Sequence, residues 1–391
     1  MALYPTPHSN SFQLTQSTIS EKKLTRNNYR PRMHELLYVE EMARYEQIAH
    51  YNLSTRLKLV NCYLLSPSGV SASTAKYAHN DELFALMKLG KDVSEDTSAG
   101  RLILNNCATV LLAPSKKAVK KSSKENDESK EKRIVYEALI EDKGKNTIYL
   151  RLSANTVKTL KLKRDTEVLF DVQFQLNRIP YCEWHQAVDK ITDFKLIFPD
   201  TYSEPSIPWT PTKQWSDTID SKLNPKQKEA IVAITTPIEV SLPPILIIVL
   251  SVRSCEWCAE VQVSNCGRYF KASCRSCNLN ISMFLSTLGL KKGFFTHILL
   301  DEAAQAMECE AIMPLALAND KTRIVLAGDH MQLSAEIYSQ FAKERLLHIS
   351  LLERLYDHYP TTFPCKIYSV KIIGLMRQLF SLHQSCFMTR N

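Results

Sequence analysis

Two short apolar runs in the last third of the chain, residues 297–300 and 324–327, are each followed by polar residues. A short, continuous apolar run is typical of a strand that is buried on both faces. Between the runs, residues 303–318 are rich in Ala, Met, Leu and Glu, which predicts a crossover helix. A strand, a helix and a strand in this order form a parallel unit, whose ligands bind beyond the carboxyl ends of the strands. The polar residues at these two ends are Asp301 and Glu302, then Gly328, Asp329 and Gln332.

The two acids after the first run have a specific chemical use. A carboxylate such as that of Asp301 can hold Mg²⁺, which neutralises the charge of bridging phosphate oxygens. A second carboxylate, here that of Glu302, can orient or deprotonate an attacking water. An ordinary strand end can carry the same Asp-Glu pair, so the pair alone leaves both interpretations open.

The residues around these acids resemble two motifs of the superfamily 1 helicases. Residues 301–305, Asp-Glu-Ala-Ala-Gln, resemble motif II, and residues 328–333, Gly-Asp-His-Met-Gln-Leu, resemble motif III. Residues 307–316 add to a similarity with the group typified by the nonsense-mediated-decay RNA helicase. Members of this family are ATP hydrolases in which two RecA-like P-loop NTPase domains drive movement along RNA.

The resemblance implies a role for each residue at the two strand ends. Asp301 would hold the Mg²⁺ of bound Mg–ATP, and Asp301, Glu302 and Gln332 would be catalytic. Gly328 and Asp329 would line the nucleotide site. ATP and Mg²⁺ are the implied cofactors. RNA is the implied partner, together with proteins of mRNA regulation.

A second nucleotide contact is expected near residue 227. Asn224 is suited to cap a helix, and Pro225 is suited to its first turn. The segment resembles the Q motif of the same helicases, in which a glutamine, here Gln227, reads the adenine edge. Asn224 and Gln227 are therefore candidate nucleotide-binding residues. A glutamine on the exposed face of a helix is the alternative.

Composition and pattern divide the rest of the chain into segments. Residues 1–29 are rich in Ser, Thr, Asn and Gln, which predicts a flexible lead-in. Helical spacing of apolar residues predicts an amphipathic stalk helix at 30–56, for packing rather than for binding a partner. Short Val-, Ile-, Leu- and Tyr-rich runs predict a β-barrel-like domain at 57–198. A Pro-rich connector at 199–222 and a partial RecA-like domain 1 at 223–367 follow.

The predicted fold class is therefore α/β plus β, with a partial RecA-like P-loop NTPase domain preceded by the stalk helix and a small β-barrel. In the resembled group such a barrel helps to grip RNA. A basic loop at 114–133 interrupts the barrel and is either a solvated loop or a loop that contacts phosphates. The predicted barrel strands are 58–65, 100–112, 134–141, 147–152 and 167–176.

One element that the resemblance requires is missing. Residues 245–248 have the pattern of a buried first strand, after which the family places a glycine-rich loop ending in Gly-Lys-Ser or Gly-Lys-Thr. The backbone N–H groups of that loop hold phosphate, and its lysine contacts the outer phosphates. Neither tripeptide occurs in this sequence. The second RecA-like domain is also expected to be absent, so we expect a truncated chain that does not hydrolyse ATP.

Cysteines cluster where the phosphate-binding loop should be. Two Cys-x-x-Cys pairs separated by 15 residues fit the spacing of a zinc ribbon with four thiolate ligands. The candidate zinc ligands are Cys255, Cys258, Cys274 and Cys277.

A coding accident is the favoured explanation of the same cluster. Codons for residues 267–277 can be chosen so that a one-base shift gives a helix end followed by a buried strand. Residues 368–374 can be shifted in the same way to resemble the start of the next helicase motif. We therefore expect residues 249–290 and the tail 368–391 to be aberrant, as in the product of an abnormal transcript.

Composition sets broad limits on the protein. With 391 residues and 44.7 kDa, the chain can hold two or three domains. The formal net charge of +8 suits a polyanionic partner. Eleven cysteines without a secretory segment favour free thiols in a reducing compartment, the cytoplasm or also the nucleus. The longest apolar run is too short to span a bilayer, which predicts no membrane association.

Three functions remain open on the sequence alone. The first is an ATP-dependent RNA helicase, which the motifs favour by lineage. The second is a non-catalytic fragment that binds RNA, which we expect of this particular chain. The third is a binding module stabilised by zinc at the cysteine cluster.

Overall fold

The structure is a computed structural model of the chain. It describes residues 4–7, 13–65, 74–90, 97, 100, 102–103, 106–115, 134–144, 147–199, 225, 229–230, 245–250, 260–264, 267–273, 291–329, 331, 334–360 and 366–369. The chain divides into two compact units, Glu41–Arg178 and the combination of Met1–Glu40 with Ile179–Asn391.

The architecture contains both helices and strands. The helices of five or more residues are α1 (Gln16–Ser20), α2 (Tyr29–Ala49), α3 (Ala154–Thr159), α4 (Ile179–Lys190), α5 (Glu308–Leu315), α6 (Gln340–Glu344) and α7 (Leu351–His358). The strands are β1 (Leu53–Val60), β2 (Cys62–Leu65), β3 (Thr74–Tyr77), β4 (Leu83–Lys88), β5 (Cys107–Pro114), β6 (Tyr136–Gly144), β7 (Thr147–Leu152), β8 (Glu167–Leu176), β9 (Ile245–Leu250), β10 (Glu260–Ser264), β11 (Gly267–Ser273), β12 (His297–Asp301), β13 (Arg323–Gly328) and β14 (Lys366–Ser369).

The unit Glu41–Arg178 is built around a closed barrel of six antiparallel strands, in the order β1-β4-β7-β6-β5-β8. Closure pairs every barrel strand on both sides and so removes free sheet edges. Alternate side chains of β7 and β8 fill the interior, as the two-residue period of a strand requires. These interior residues are Ile148, Leu150, Leu152, Phe170, Val172 and Phe174. The small β-barrel predicted from the sequence is confirmed.

The barrel differs from the sequence prediction in three places. The predicted strand 58–65 is two strands, because the chain turns at Asn61, whose carbonyl accepts a hydrogen bond from the N–H of Ala78 (2.8 Å). The predicted strand 100–112 starts only at Cys107, since Leu102 and Ile103 are buried in a helical conformation. A short apolar run does not distinguish a buried helical turn from a strand. Strand β4, which is buried along most of its length, was not predicted.

In the other unit, residues 13–29 are ordered, in contrast to the flexible lead-in that their composition predicts. Thr15 caps α1 with its side chain, and the carboxylate of Glu35 in α2 accepts hydrogen bonds from the N–H and hydroxyl of Thr15 (3.2 and 3.1 Å). The buried guanidinium of Arg32 donates to the carbonyl oxygens of Glu21 and Lys22. Polar composition did not reveal these tertiary partners.

Two segment boundaries also differ from the prediction. The stalk helix predicted at 30–56 is α2, which ends at Ala49, because His50 and Tyr51 donate their N–H groups to a tight turn and the chain then enters β1. The unit with the barrel ends at Arg178 rather than at 198. The next helix, α4, belongs to the unit with the parallel sheet, because it packs on α5 there.

A six-stranded sheet with the order β10-β11-β12-β13-β9-β14 forms the centre of the second unit. Only β10 and β11 are antiparallel, and all other neighbours are parallel. Strands β12 and β13 are buried along almost their whole length, as expected in a parallel sheet. The predicted parallel sheet is confirmed. Residues 260–264 and 267–273, in the segment predicted to be aberrant, form the edge strand β10 and its neighbour β11, and residues 368–369 end β14 at the opposite edge.

The crossover helix α5 is shorter than the predicted 303–318. Residues before it form a turn, in which Ala303 donates its N–H to the carbonyl oxygen of Ala327 (2.8 Å). The helix begins after Met307, whose N–H donates to the Glu310 carboxylate (2.8 Å). Among the described residues, no helix has the length and apolarity needed to cross a bilayer.

Candidate active site

The site lies where neighbouring parallel strands end. Leu300 of β12 is in register with Leu326 of β13, and Gly328 of β13 is in register with Val249 of β9. The carboxyl ends of these three strands therefore meet at one edge of the sheet. That edge carries the Asp301–Glu302 pair and Gly328 with Asp329. The structure thus brings together the four described residues that the two motifs predicted.

Asp301 and Glu302 are held in a strained turn. Their exposed fractions are only 5% and 8%. The N–H of Glu302 donates to Oδ1 of Asp301 (3.1 Å), and Nε2 of Gln305 donates to Oε2 of Glu302 (3.2 Å). Glu302 has φ of 56°, in the left-handed region that residues other than glycine rarely adopt. Such strain is maintained only where surrounding contacts fix the backbone, and it is common at functional sites.

Small residues allow the two strand ends to approach each other. A Cβ atom on Gly328 would lie 2.9 Å from the backbone nitrogen of Ala304 and 3.2 Å from that of Ala303. Both alanines are buried. Both alanines belong to the motif that residues 301–305 resemble, but no role was predicted for them.

Asp329 begins the loop after β13. Its Oδ1 accepts a hydrogen bond from the N–H of Met331 (3.0 Å), a local bond typical of an aspartate that shapes a turn. Asp329 is half-buried, so its carboxylate lies at the surface of the sheet edge.

The remaining predicted site residues lie outside the described residues. They are Gln332, Asn224 and Gln227 of the nucleotide site, and the candidate zinc ligands Cys255, Cys258, Cys274 and Cys277. Next to Asn224, residue 225 is helical, as are residues 229–230. The described cysteines Cys62, Cys107, Cys182 and Cys309 are free thiols.

The donor atoms at the sheet edge fit Mg²⁺ only in the presence of phosphate. Among the described residues, no three His, Cys, Asp or Glu side chains converge as a metal site. Mg²⁺ does not need such a cluster, because it is usually held by one or two carboxylates together with substrate phosphates and waters. Asp301 supplies one buried carboxylate, so the fit depends on a nucleotide to provide the other oxygens.

Comparison with known proteins shows which proteins share these motifs. A family model described as an AAA domain matches residues 280–340, which include both motifs. The "Probable helicase with zinc finger domain" of Homo sapiens is 42% identical over 93% of this chain, and that of Danio rerio is 41% identical over the same share. This chain belongs to the family of these probable helicases. The "RNA helicase Mov10l1" of Mus musculus is 49% identical over 17% of the chain and 6% of its own length.

The chain spans less than a quarter of the curated helicases that it matches, 22% of the human protein and 23% of the Danio rerio protein. The alignment with each extends over 438 positions, which is more than the 391 residues of the chain. The alignments therefore contain positions at which the relatives have residues and this chain has none.

Proposed function

We propose that this chain carries the nucleotide edge of a superfamily 1 RNA helicase, in which ATP hydrolysis drives movement on RNA. One observation carries the proposal. Two buried carboxylates, Asp301 and Glu302, follow a parallel strand directly and lie beside Gly328 and Asp329 at the carboxyl edge of a sheet. This edge is where open α/β sheets bind their ligands. The names of the relatives support RNA as the substrate.

In this proposal the residues have distinct roles. Asp301 would hold Mg²⁺, which when bound would neutralise charge on the phosphates, and Glu302 would take a proton from the attacking water or orient it. Gly328 allows the two loops to approach, and Asp329 with Gln332 lines the nucleotide site. Asn224 and Gln227 recognise the adenine. We assign this machinery to a RecA-like domain at 223–367.

We further propose that the chain by itself does not hydrolyse ATP. Its sequence has no Gly-Lys-Ser or Gly-Lys-Thr, so it supplies no lysine in the position that contacts the outer phosphates. The gaps in the alignments with the helicases are consistent with a segment that these relatives have and this chain lacks. The remaining activity is RNA binding that does not depend on ATP.

A measurement of ATP hydrolysis with and without single-stranded RNA tests the proposal. We expect no hydrolysis above the protein-free blank, and RNA affinity that is the same with and without ATP. The affinity should fall as the salt concentration rises, because basic side chains release counterions on binding phosphates. ATP hydrolysis that is lost in Asp301→Ala would contradict the inactivity but support the site.

A chimaera separates the two parts of the proposal. Replacing residues 249–290 by the aligned segment of the human relative should produce Mg²⁺-dependent binding of a fluorescent ATP analogue. The Asp301→Ala form of the chimaera should lose the Mg²⁺ dependence, whereas Asp320→Ala, an exposed aspartate after α5, should keep it. A chimaera that binds the nucleotide equally well with and without Asp301 would refute the assigned metal ligand.

A further inference from the structure

A pocket of about 520 Å³ lies in the unit with the parallel sheet, and none of the candidate active-site residues lines it. Its size falls within the range of small-molecule sites. Its walls, which are largely apolar, come from four parts of the chain: residues 23–36, Phe198, Glu308 of α5, and residues 345–358. The apolar residues that line it are Leu24, Met33, Leu36, Phe198, Leu347 and Ile349.

The charged groups of this pocket do not cancel. Glu308 and Arg354 neutralise each other through two hydrogen bonds, Nε to Oε2 (2.9 Å) and Nη2 to Oε1 (2.6 Å). Arg345 donates mainly to neutral groups, the carbonyl oxygens of Thr18 (2.7 Å) and Ile19 (2.6 Å). It also lies 3.8 Å from the carboxylate of the exposed Glu344.

Lys23 forms no ion pair among the described residues. The lining carries one net positive charge, because three cations face two acids: Lys23, Arg345 and Arg354 against Glu308 and Asp357. The pKa of His358 is affected by these positive charges. Burial lowers the pKa of its imidazole, and the charges of Arg354 and Lys23 lower it further. A cavity with apolar walls and a net positive charge favours a ligand that is apolar along most of its length and negative at one end.

We propose that this pocket binds an unbranched monocarboxylic acid, with its apolar chain against Met33, Leu36 and Leu347 and its carboxylate near Lys23. The apolar walls exclude water from the chain, and the ammonium group of Lys23 attracts the carboxylate.

The rim of the pocket supports the proposal. Leu346 also lines the pocket, yet 46% of it is exposed and its φ is 66°, in the left-handed region. The left-handed φ belongs to the end of α6, where the N–H groups of Leu346 and Leu347 donate to the carbonyl oxygens of Lys343 and Ala342. The exposure of a large apolar side chain still costs free energy. A bound apolar chain would cover this side chain.

Binding of sodium dodecanoate to the full chain tests the proposal, measured by calorimetry below the concentration at which micelles form. Dodecanoate should bind with one site per chain. Dodecanol, which has the same apolar chain and no charge, should bind at least about fivefold more weakly, the size expected for one exposed ion pair. Butanoate, which has the charge and almost no chain, should not bind detectably. Equal affinities for dodecanoate and dodecanol, or no binding of dodecanoate, would refute the proposal.

Variants locate the site. Lys23→Glu should weaken dodecanoate binding at least about fivefold and leave dodecanol binding unchanged. Lys22→Glu is the matched control, because Lys22 is an exposed neighbour that does not line the pocket, and it should bind like the original chain. Leu24→Trp should reduce the affinity for both ligands by filling the cavity. If Leu24→Trp does not fold, the two lysine variants still decide: an equal effect of both would refute the site.

Discussion

Gly328 is the residue at which the geometry of the candidate site leaves the least freedom. It ends β13 and touches the backbone of the Asp-Glu-Ala-Ala turn that follows β12. Any side chain would have to displace backbone atoms rather than a flexible side chain, since the nearest atom to an added Cβ is the nitrogen of Ala304. The separation between the two strand ends therefore depends on a single missing methyl group.

We expect Gly328→Ala to lower the free energy of unfolding by about 1–3 kcal/mol, the usual cost of overpacking a buried contact. Urea denaturation measures this change. Gly90→Ala is the control, because a Cβ atom there would have no neighbour within 4 Å. The control should be neutral or slightly stabilising, by about 0.4–1 kcal/mol, through restriction of the unfolded chain. Equal effects of the two substitutions would contradict the close approach at Gly328.

At the scale of elements, α2 is joined to α6 by a buried carboxylate. Glu40 of α2 accepts hydrogen bonds from the N–H groups of Tyr338 (3.0 and 3.1 Å) and Ser339 (2.8 Å). Ser339 caps α6, so the carboxylate satisfies N–H groups at the start of that helix. Residues 338–339, which lead into α6, are thereby held to α2.

Glu40→Ala should destabilise the chain by about 2–3 kcal/mol, because two buried N–H groups lose a charged acceptor. Amide hydrogen exchange should become faster at residues 338–342 in particular. Glu46→Ala, on an exposed position of the same helix, should change stability by no more than about 0.5 kcal/mol. Unchanged exchange at Ser339 in Glu40→Ala would show that the carboxylate does not hold this segment.

A buried ion pair joins α5 to α7. Arg354 and Glu308 form two hydrogen bonds, and the Glu308 side chain has only 4% of its surface exposed. Burial and the charge of Glu308 together raise the pKa of the neighbouring Tyr29, while Arg354 opposes the shift. The pair thus lies in a region where an unpaired charge would be costly.

A double-mutant cycle on this pair should show strong coupling. Arg354→Met or Glu308→Leu alone should cost about 3–5 kcal/mol, because each leaves a buried charge without its partner. The double variant should cost less than the sum of the two, by about 1–3 kcal/mol. Thermal or urea unfolding measures all three changes. Additive losses would mean that the two side chains stabilise the chain independently.

On the scale of the whole molecule, two histidines should make stability depend on pH. Burial lowers the pKa of His348 and of His358 below the ordinary value of 6.5, and nearby cations lower both further, Lys343 at the first and Arg354 with Lys23 at the second. As the pH falls, the unfolded chain therefore takes up protons before the folded chain does. The stability associated with the neutral imidazoles is present above about pH 6.5 and is lost as the pH falls through the folded pKa values.

We expect the urea midpoint to fall between pH 7 and pH 5. The decrease should be smaller in the double variant His348→Gln/His358→Gln, which lacks both groups. A third variant, His79→Gln, serves as the control, because His79 is exposed and lies in the barrel unit. If the double variant has the same pH profile as the unchanged chain, other groups cause the dependence.

The parts of the fold that could be predicted depend on local patterns. The strands that carry Asp301 and Gly328 were predicted because a buried parallel strand is a continuous apolar run, and this property belongs to the strand alone. The barrel was predicted from short runs rich in Val, Ile, Leu and Tyr, although β4 and the exact start of β5 were missed. The local pattern could not distinguish the buried helical turn at Leu102 and Ile103 from a strand, because both are short apolar runs.

Other features depend on residues that are far apart in the sequence. Residues 13–29 are held in place by hydrogen bonds to Glu35 and Arg32. The start of α6 is held by hydrogen bonds to Glu40, some 300 positions away. Nothing near these residues in the sequence indicates their partners. The pocket beside Lys23 was also not predicted, since its walls come from four separate segments.

The sequence by itself determined the chemistry available at the site, because the motif residues, their spacing and the missing Gly-Lys-Ser or Gly-Lys-Thr are properties of the covalent chain. Only the tertiary structure decided where those residues lie relative to one another. Strand pairing set the register that brings the ends of β9, β12 and β13 to one edge, and close backbone contact at Gly328 set their separation. These contacts depend on packing between distant segments, which no local pattern encodes.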